Sequence, residues 1–105
     1  MSQIPDEQEQ AVYIRGHAMR KAKVRYGVRL SEWQYHLLCE QIRQGQSKPG
    51  QQQGMDRRIH LVKHEDTEMR VVWDQWWGLI VTFLPRYYQP KVEEMVSMDR
   101  LEVEE

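Results

Sequence analysis

The stretch RRIHLVKHEDTEMRVVWDQWWGLIVTFL, Arg57–Leu84, decides the fold. Its apolar residues recur with the period of two that belongs to half-buried strands. Arg57–His64 sets Ile59 and Leu61 on one face and His60, Val62 and His64 on the other. Glu65-Asp66-Thr67 has turn chemistry. Glu68–Asp74 alternates again, with Met69, Val71 and Trp73 on one face. Gln75-Trp76-Trp77-Gly78 turns the chain once more, and Leu79–Leu84 returns as a third strand that Pro85 ends. In that strand Leu79, Val81 and Phe83 are expected to oppose Ile80, Thr82 and Leu84. Strands joined by such short turns form an antiparallel meander.

Upstream the period changes to that of helices. Ile14, Ala18, Ala22 and Tyr26 recur at i+4, which predicts a helix from about Gln10 to Tyr26, with Gly27 as its stop. Gly16 weakens its first turns by roughly 1 kcal/mol against alanine. Ser31 with Gln34 three residues on reads as a capping box, flanked by a Leu30/Tyr35 staple. A second helix should run from Glu32 to about Gln44, with Leu38 and Ile42 inward and Gly45 as its stop. Gln46–Asp56, rich in Gln, Gly, Pro, Ser and Lys, reads as a loop. The expectation is an α+β fold: two N-terminal helices packed on a three-stranded, or slightly larger, antiparallel meander. One domain spans residues 1–90, with a frayed polar leader at 1–8. Residues 91–105 form an acidic tail with a short helix around Val92, Met95 and Val96.

Charge is segregated along the chain. Between Ala11 and Leu30 stand Arg15, Arg20, Lys21, Lys23, Arg25 and Arg29, with His17 and no acid. Residues 11–90 hold thirteen Lys/Arg against seven Asp/Glu, a surplus of +6, although the whole chain is at −1. A basic helix on a basic body points to a polyanion, RNA first; a solvated helix face beside an acidic segment of the same chain is the competing reading. No stretch is long and apolar enough for a membrane span, and the N-terminus lacks the pattern of a signal peptide. The single Cys39 excludes an internal disulfide and fits a reducing cytoplasm, as a small buried hydrophobe.

The chemistry open to these residues is narrow. No HExxH, CxxC, P-loop, GxGxxG or GxSxG pattern is present, so no metal or cofactor is expected. His60 and His64 share a strand face but lie about 13 Å apart at ~3.3 Å per residue. Metal-free RNA cleavage needs a base at the 2′-hydroxyl and cations at the phosphate. His17 and Arg20 share one helical turn, and His60, His64, Arg70 and Thr82 are polar strand residues that could meet them. Trp76-Trp77 in a turn, and Tyr87-Tyr88 after the last strand, suit base stacking, a protein partner, or a fold-back over the sheet.

His17-x-x-Arg20-x-x-x-x-Arg25-Tyr26-Gly27-Val28-x-Leu30-Ser31, followed by a helix that ends in Arg-Gln-Gly, resembles the opening of small phage and bacterial proteins of the RelE/barnase/EndoU-like ribonuclease superfamily. Val71-Val72-Trp73-Asp74 and Gly78-Leu79-Ile80-Val81-Thr82-Phe83-Leu84-Pro85 are similar to their closing hairpin. The resemblance covers roughly residues 15–85. It implies His17 as acid/base, Arg20 as phosphate clamp and Thr82 as a strand-end catalytic residue, with Arg58 and His60 as further RNA contacts; the charge of the basic helix by itself predicts RNA binding through Arg15, Arg20, Lys21, Lys23 and Arg25. It also implies a phage-encoded protein at work in the host cytoplasm. The alternative is a non-enzymatic protein that binds a host protein through Trp76, Trp77, Tyr87 and Tyr88.

Overall fold

The computed structural model describes residues 7–86. Tyr87, Tyr88, most of the polar leader and the acidic tail lie outside the described residues. The fold is α+β: helices α1 (Glu7–Tyr26) and α2 (Glu32–Arg43), then β1 (Lys48–Gln52), β2 (Arg57–His64), β3 (Thr67–Asp74) and β4 (Leu79–Phe83). The strands form one antiparallel sheet in the order β1-β2-β3-β4.

Both helices follow their local chemistry. Helix α1 begins at Glu7, three residues before the expected start, with Glu7 and Glu9 in the first turn where the helix dipole favours acids. The capping box at Ser31 is complete: its Oγ accepts from the Gln34 N–H, and the Gln34 side chain accepts from the Ser31 N–H. Helix α2 ends in a Schellman motif, in which the Gln46 N–H reaches the Gln41 carbonyl and the Gly45 N–H the Ile42 carbonyl. That geometry needs a left-handed residue, and Gly45 supplies φ 72°.

The core lies between the helices and one face of the sheet. Ala18, Ala22 and Tyr26 of α1 and Tyr35, Leu38, Cys39 and Ile42 of α2 pack on Val62, Met69, Val71, Ile80 and Phe83. Two expectations are corrected here. The sheet has four strands, because Lys48–Gln52, read as loop, pairs with β2 as an edge strand. Its sequence KPGQQ has no apolar alternation, and Pro is tolerated only at such an edge. The faces of β4 also differ from simple alternation. Val72 pairs with Thr82 but Trp73 with Ile80, so Val81 is an extra residue in a β-bulge. The bulge turns Ile80 as well as Phe83 into the core. The buried Tyr35 hydroxyl donates to the Ile80 carbonyl at 2.6 Å.

The sheet's ends are satisfied from the helices. Where β2 outruns β1, the Gln41 side chain donates to the Lys63 carbonyl at 2.7 Å and accepts from its N–H at 3.2 Å. One amide thus stands in for a strand partner.

Candidate nucleic-acid interface

Helix α1 presents three different flanks. Ala18 and Ala22, both fully buried, have side chains small enough for the helix to lie close on β4. Arg15 leans toward α2 and pairs with Glu32 at 3.0 Å, so its charge is engaged within the fold. On the other flank Ile14, His17, Lys21 and Arg25 form one stripe. Arg25 Nη1 donates to the Phe83 carbonyl at 2.8 Å. The Leu84 N–H bonds the Arg70 carbonyl, so the neighbouring Phe83 carbonyl points away from β3, to the free side of β4. The stripe therefore borders the outer edge of the sheet. Just past the end of β4 the Tyr26 hydroxyl accepts from the Arg70 N–H, and the Arg86 guanidinium stands 5.2 Å from the Tyr26 ring.

His17 is half-buried in this seam. Burial is the largest influence on its imidazole, and the charges of Lys21, Arg20 and Arg25 add to it; all four lower its pKa below the ordinary 6.5. These charges, all from described residues, are cationic. At neutral pH the ring is therefore uncharged and able to accept a proton. Arg20 is exposed and folds back over Gly16, where an added Cβ would sit 3.9 Å from its Nη1. Lys23 is exposed and Lys21 half-exposed. Arg20, Lys21 and Lys23 make no ion pair among the described residues.

Thr82 pairs with Val72, while its neighbour Phe83 faces the core, so Thr82 lies on the sheet face away from the helices. It is half-exposed, on the same edge strand that the His17 stripe borders. No hydrogen bond joins Thr82 to His17 or Arg20. Arg70 shares Thr82's face at a diagonal position, roughly 7–8 Å away in such a pairing.

Arg58 and His60 stand elsewhere. They occupy β2, two strand spacings or about 10 Å from β4, on the helix side of the sheet. Arg58 Nη1 donates to the Gly50 carbonyl at 2.7 Å, and His60 Nδ1 lies 2.8 Å from Ser47 Oγ. Burial, then the Arg58 charge, lowers the His60 pKa. Ser47 sits in a polar stretch with no apolar pattern, so nothing in its local sequence announces this contact.

The tryptophan turn is well tied down. The buried Asp74 accepts from the Trp77 N–H at 2.9 Å and from Arg57 Nε at 2.8 Å. The Gly78 N–H returns to the Asp74 carbonyl with Gly78 at φ 67°. Trp77 packs against the core, and Trp76 stands edge-on to it at 5.0 Å, 65% exposed. Cys39 is buried beside Tyr35, and burial raises its thiol pKa, so it stays protonated. Among the described residues no cluster of His, Cys, Asp and Glu could hold a metal ion, and no helix is long and apolar enough to cross a membrane.

No family model, curated protein or solved structure matches this chain.

Proposed function

We propose that this chain is an RNA-binding domain of the metal-independent ribonuclease type, with the α1–β4 seam as its site. The observation that carries the reading is His17: a half-buried imidazole whose pKa is lowered by burial and by the neighbouring charges of Lys21, Arg20 and Arg25. A phosphate brought there by Arg20, Lys21 and Arg25, with Lys23 adding charge from the outer face of the helix, places a ribose hydroxyl near a ready proton acceptor. The same cations stabilise the charge that develops on the phosphate. Arg70 and Thr82 flank the same edge from the open face and serve as a phosphate contact and a hydroxyl donor. The resemblance to small phage and bacterial ribonucleases supports the same roles for His17, Arg20 and Thr82, and a cytoplasmic site of action.

Total RNA incubated with the purified chain in EDTA tests this reading. Cleavage that His17→Ala abolishes is the expected result. RNA left intact at micromolar protein retires the enzyme and leaves the binding domain. Binding itself should weaken with salt, by about one unit of log–log slope per phosphate neutralised.

A second reading is favoured by one specific feature. Trp76 is held exposed by a rigid turn, in the manner of an anchor for a protein partner. If RNA neither binds nor is cleaved, a host protein captured by wild type and lost with Trp76→Ala would take its place.

A further inference from the structure

Where α2 stops, the described residues leave a cleft on the helix side of the sheet. The Schellman motif turns the chain away after Arg43, so the last turn of α2, with Ile42 and Arg43, borders the cross-strand row Gln52–Arg58–Trp73 on one side. A cleft of about 360 Å³ lies there, with Ile42, Pro49, Arg58, His60, Trp73 and Asp56 among its walls. This space lies at the opposite margin of the sheet from the α1–β4 seam, and the proposed RNA site does not use it.

The walls divide by chemistry. Ile42, Pro49 and the Trp73 indole make an apolar side. The Arg43 guanidinium, 5.6 Å from the Trp73 centroid and bonded to Glu40 and Gly78, steadies the indole. Arg58 is the direct cross-strand neighbour of Trp73. Its Nη1 is engaged by the Gly50 carbonyl, which fixes the guanidinium and leaves its other N–H groups for a ligand. Arg57, by contrast, is neutralised by Asp74. His60 forms the inner polar wall, held by Ser47 at 2.8 Å. Asp56, in the bend just before β2, also lines the cleft and offers a carboxylate to an amino group.

An aromatic surface beside a fixed guanidinium is the arrangement that takes a base and its phosphate together. The volume suits one such unit and is near the lower end of ligand pockets, about 300–1,000 Å³. We propose that the cleft binds one nucleoside monophosphate unit. The base lies against Trp73 with its amino edge toward Asp56, and the phosphate lies on Arg58 and the His60–Ser47 pair. The unit comes either as a free nucleotide or as one residue of a single strand.

The full chain, isotope-labelled, is titrated with AMP, adenosine, inorganic phosphate and a five-nucleotide single-stranded RNA. AMP should shift the Trp73 indole and Ser47 and Gly50 amide signals, and adenosine should do so more weakly. Arg58→Gln should lower AMP affinity at least about tenfold and leave adenosine binding unchanged; Trp73→Phe should weaken both. If the RNA moves the same signals, the strand supplies the unit; if only AMP does, the free nucleotide does. AMP that leaves these signals in place, or binds Arg58→Gln as well as wild type, overturns the proposal. The double variant Lys21→Gln/Lys23→Gln separates the two sites. It should weaken RNA binding at the seam without touching AMP affinity, so either reading can fail while the other stands.

Discussion

The two margins of the sheet are built on opposite terms. At the β4 margin a twenty-residue helix lies along the strand, close enough that its partners are alanines and that Arg25 caps a strand carbonyl. At the β1 margin the edge is a five-residue polar strand with Pro49 and Gly50, and the nearer helix ends before covering it. The difference lies in what each margin does with its cations. At the closed margin the tight packing of α1 forces its charged residues to the helix flanks, where Arg20, Lys21 and Lys23 have no acidic partner among the described residues. At the open margin Arg43 and Arg57 pair with Glu40 and Asp74, while Arg58, bonded only through Nη1 to the Gly50 carbonyl among the described residues, lines the cleft. A basic helix thus makes an extended charged seam, and a short edge strand makes a small, chemically mixed hollow.

The sharpest test of this contrast is His17. If the seam cleaves RNA, His17→Ala should lower the rate by roughly 10²–10⁴-fold, as for a general acid/base, and chelators should have no effect. Because the surroundings depress the His17 pKa, a base role predicts a rate that rises with pH through a midpoint below 6.5 and is level above it. A midpoint above 6.5 would break the argument that burial and the neighbouring cations keep His17 neutral.

Next in size is the bulge that shapes β4. Tyr35→Phe strips the hydroxyl donor from the Ile80 carbonyl in a fully buried site. A loss of about 1–3 kcal/mol in urea unfolding is expected. An unchanged midpoint would mean that the bulge does not depend on the Tyr35 hydroxyl.

Asp74 tests the other margin. Burial by itself would raise its pKa, but the Trp77 N–H, Arg57 and the Trp76 N–H together hold it below the ordinary 3.8. A depressed carboxylate pKa stabilises the folded state above the unfolded value, and that contribution is lost as pH falls from about 4 through the folded pKa. Wild type should therefore lose stability over this acid range, and Asp74→Asn should flatten that part of the pH profile.

The smallest effect belongs to Glu65. It has φ 54° in the two-residue turn between β2 and β3, a conformation that strains a side-chain-bearing residue. Glu65→Gly should stabilise the chain by less than about 1 kcal/mol, read as a small rise in Tm. It should not alter either margin.

Much of the fold was legible because it is written in local patterns. The capping box at Ser31, the stop at Gly45, the i+4 row of Ala18, Ala22 and Tyr26 and the alternation of β2 and β3 each arise within a few residues. The basic character of α1 was equally plain, since charge is a property of composition. Strand β1 was not legible. An edge strand pairs on one side only, and its polar residues carry no apolar signal. The β4 bulge was hidden for a related reason: the apolar run from Leu79 to Val81 offers either face to a core, and only pairing with Val72 and Trp73 chooses.

The same division holds for the candidate sites. The sequence by itself determined that cations, a histidine and tryptophans exist at useful spacings, because helix and strand periods translate spacing into shared faces. Only the tertiary structure decided which of them meet. It set Thr82 on the face away from the helices, gave Arg15 to Glu32 and Arg25 to the Phe83 carbonyl, and joined His60 to Ser47 across thirteen residues. It also set the Arg43 guanidinium over Trp73 and left the indole half-buried in the wall of the cleft. Such contacts depend on where separate elements stop and how they pack, and no local period records that.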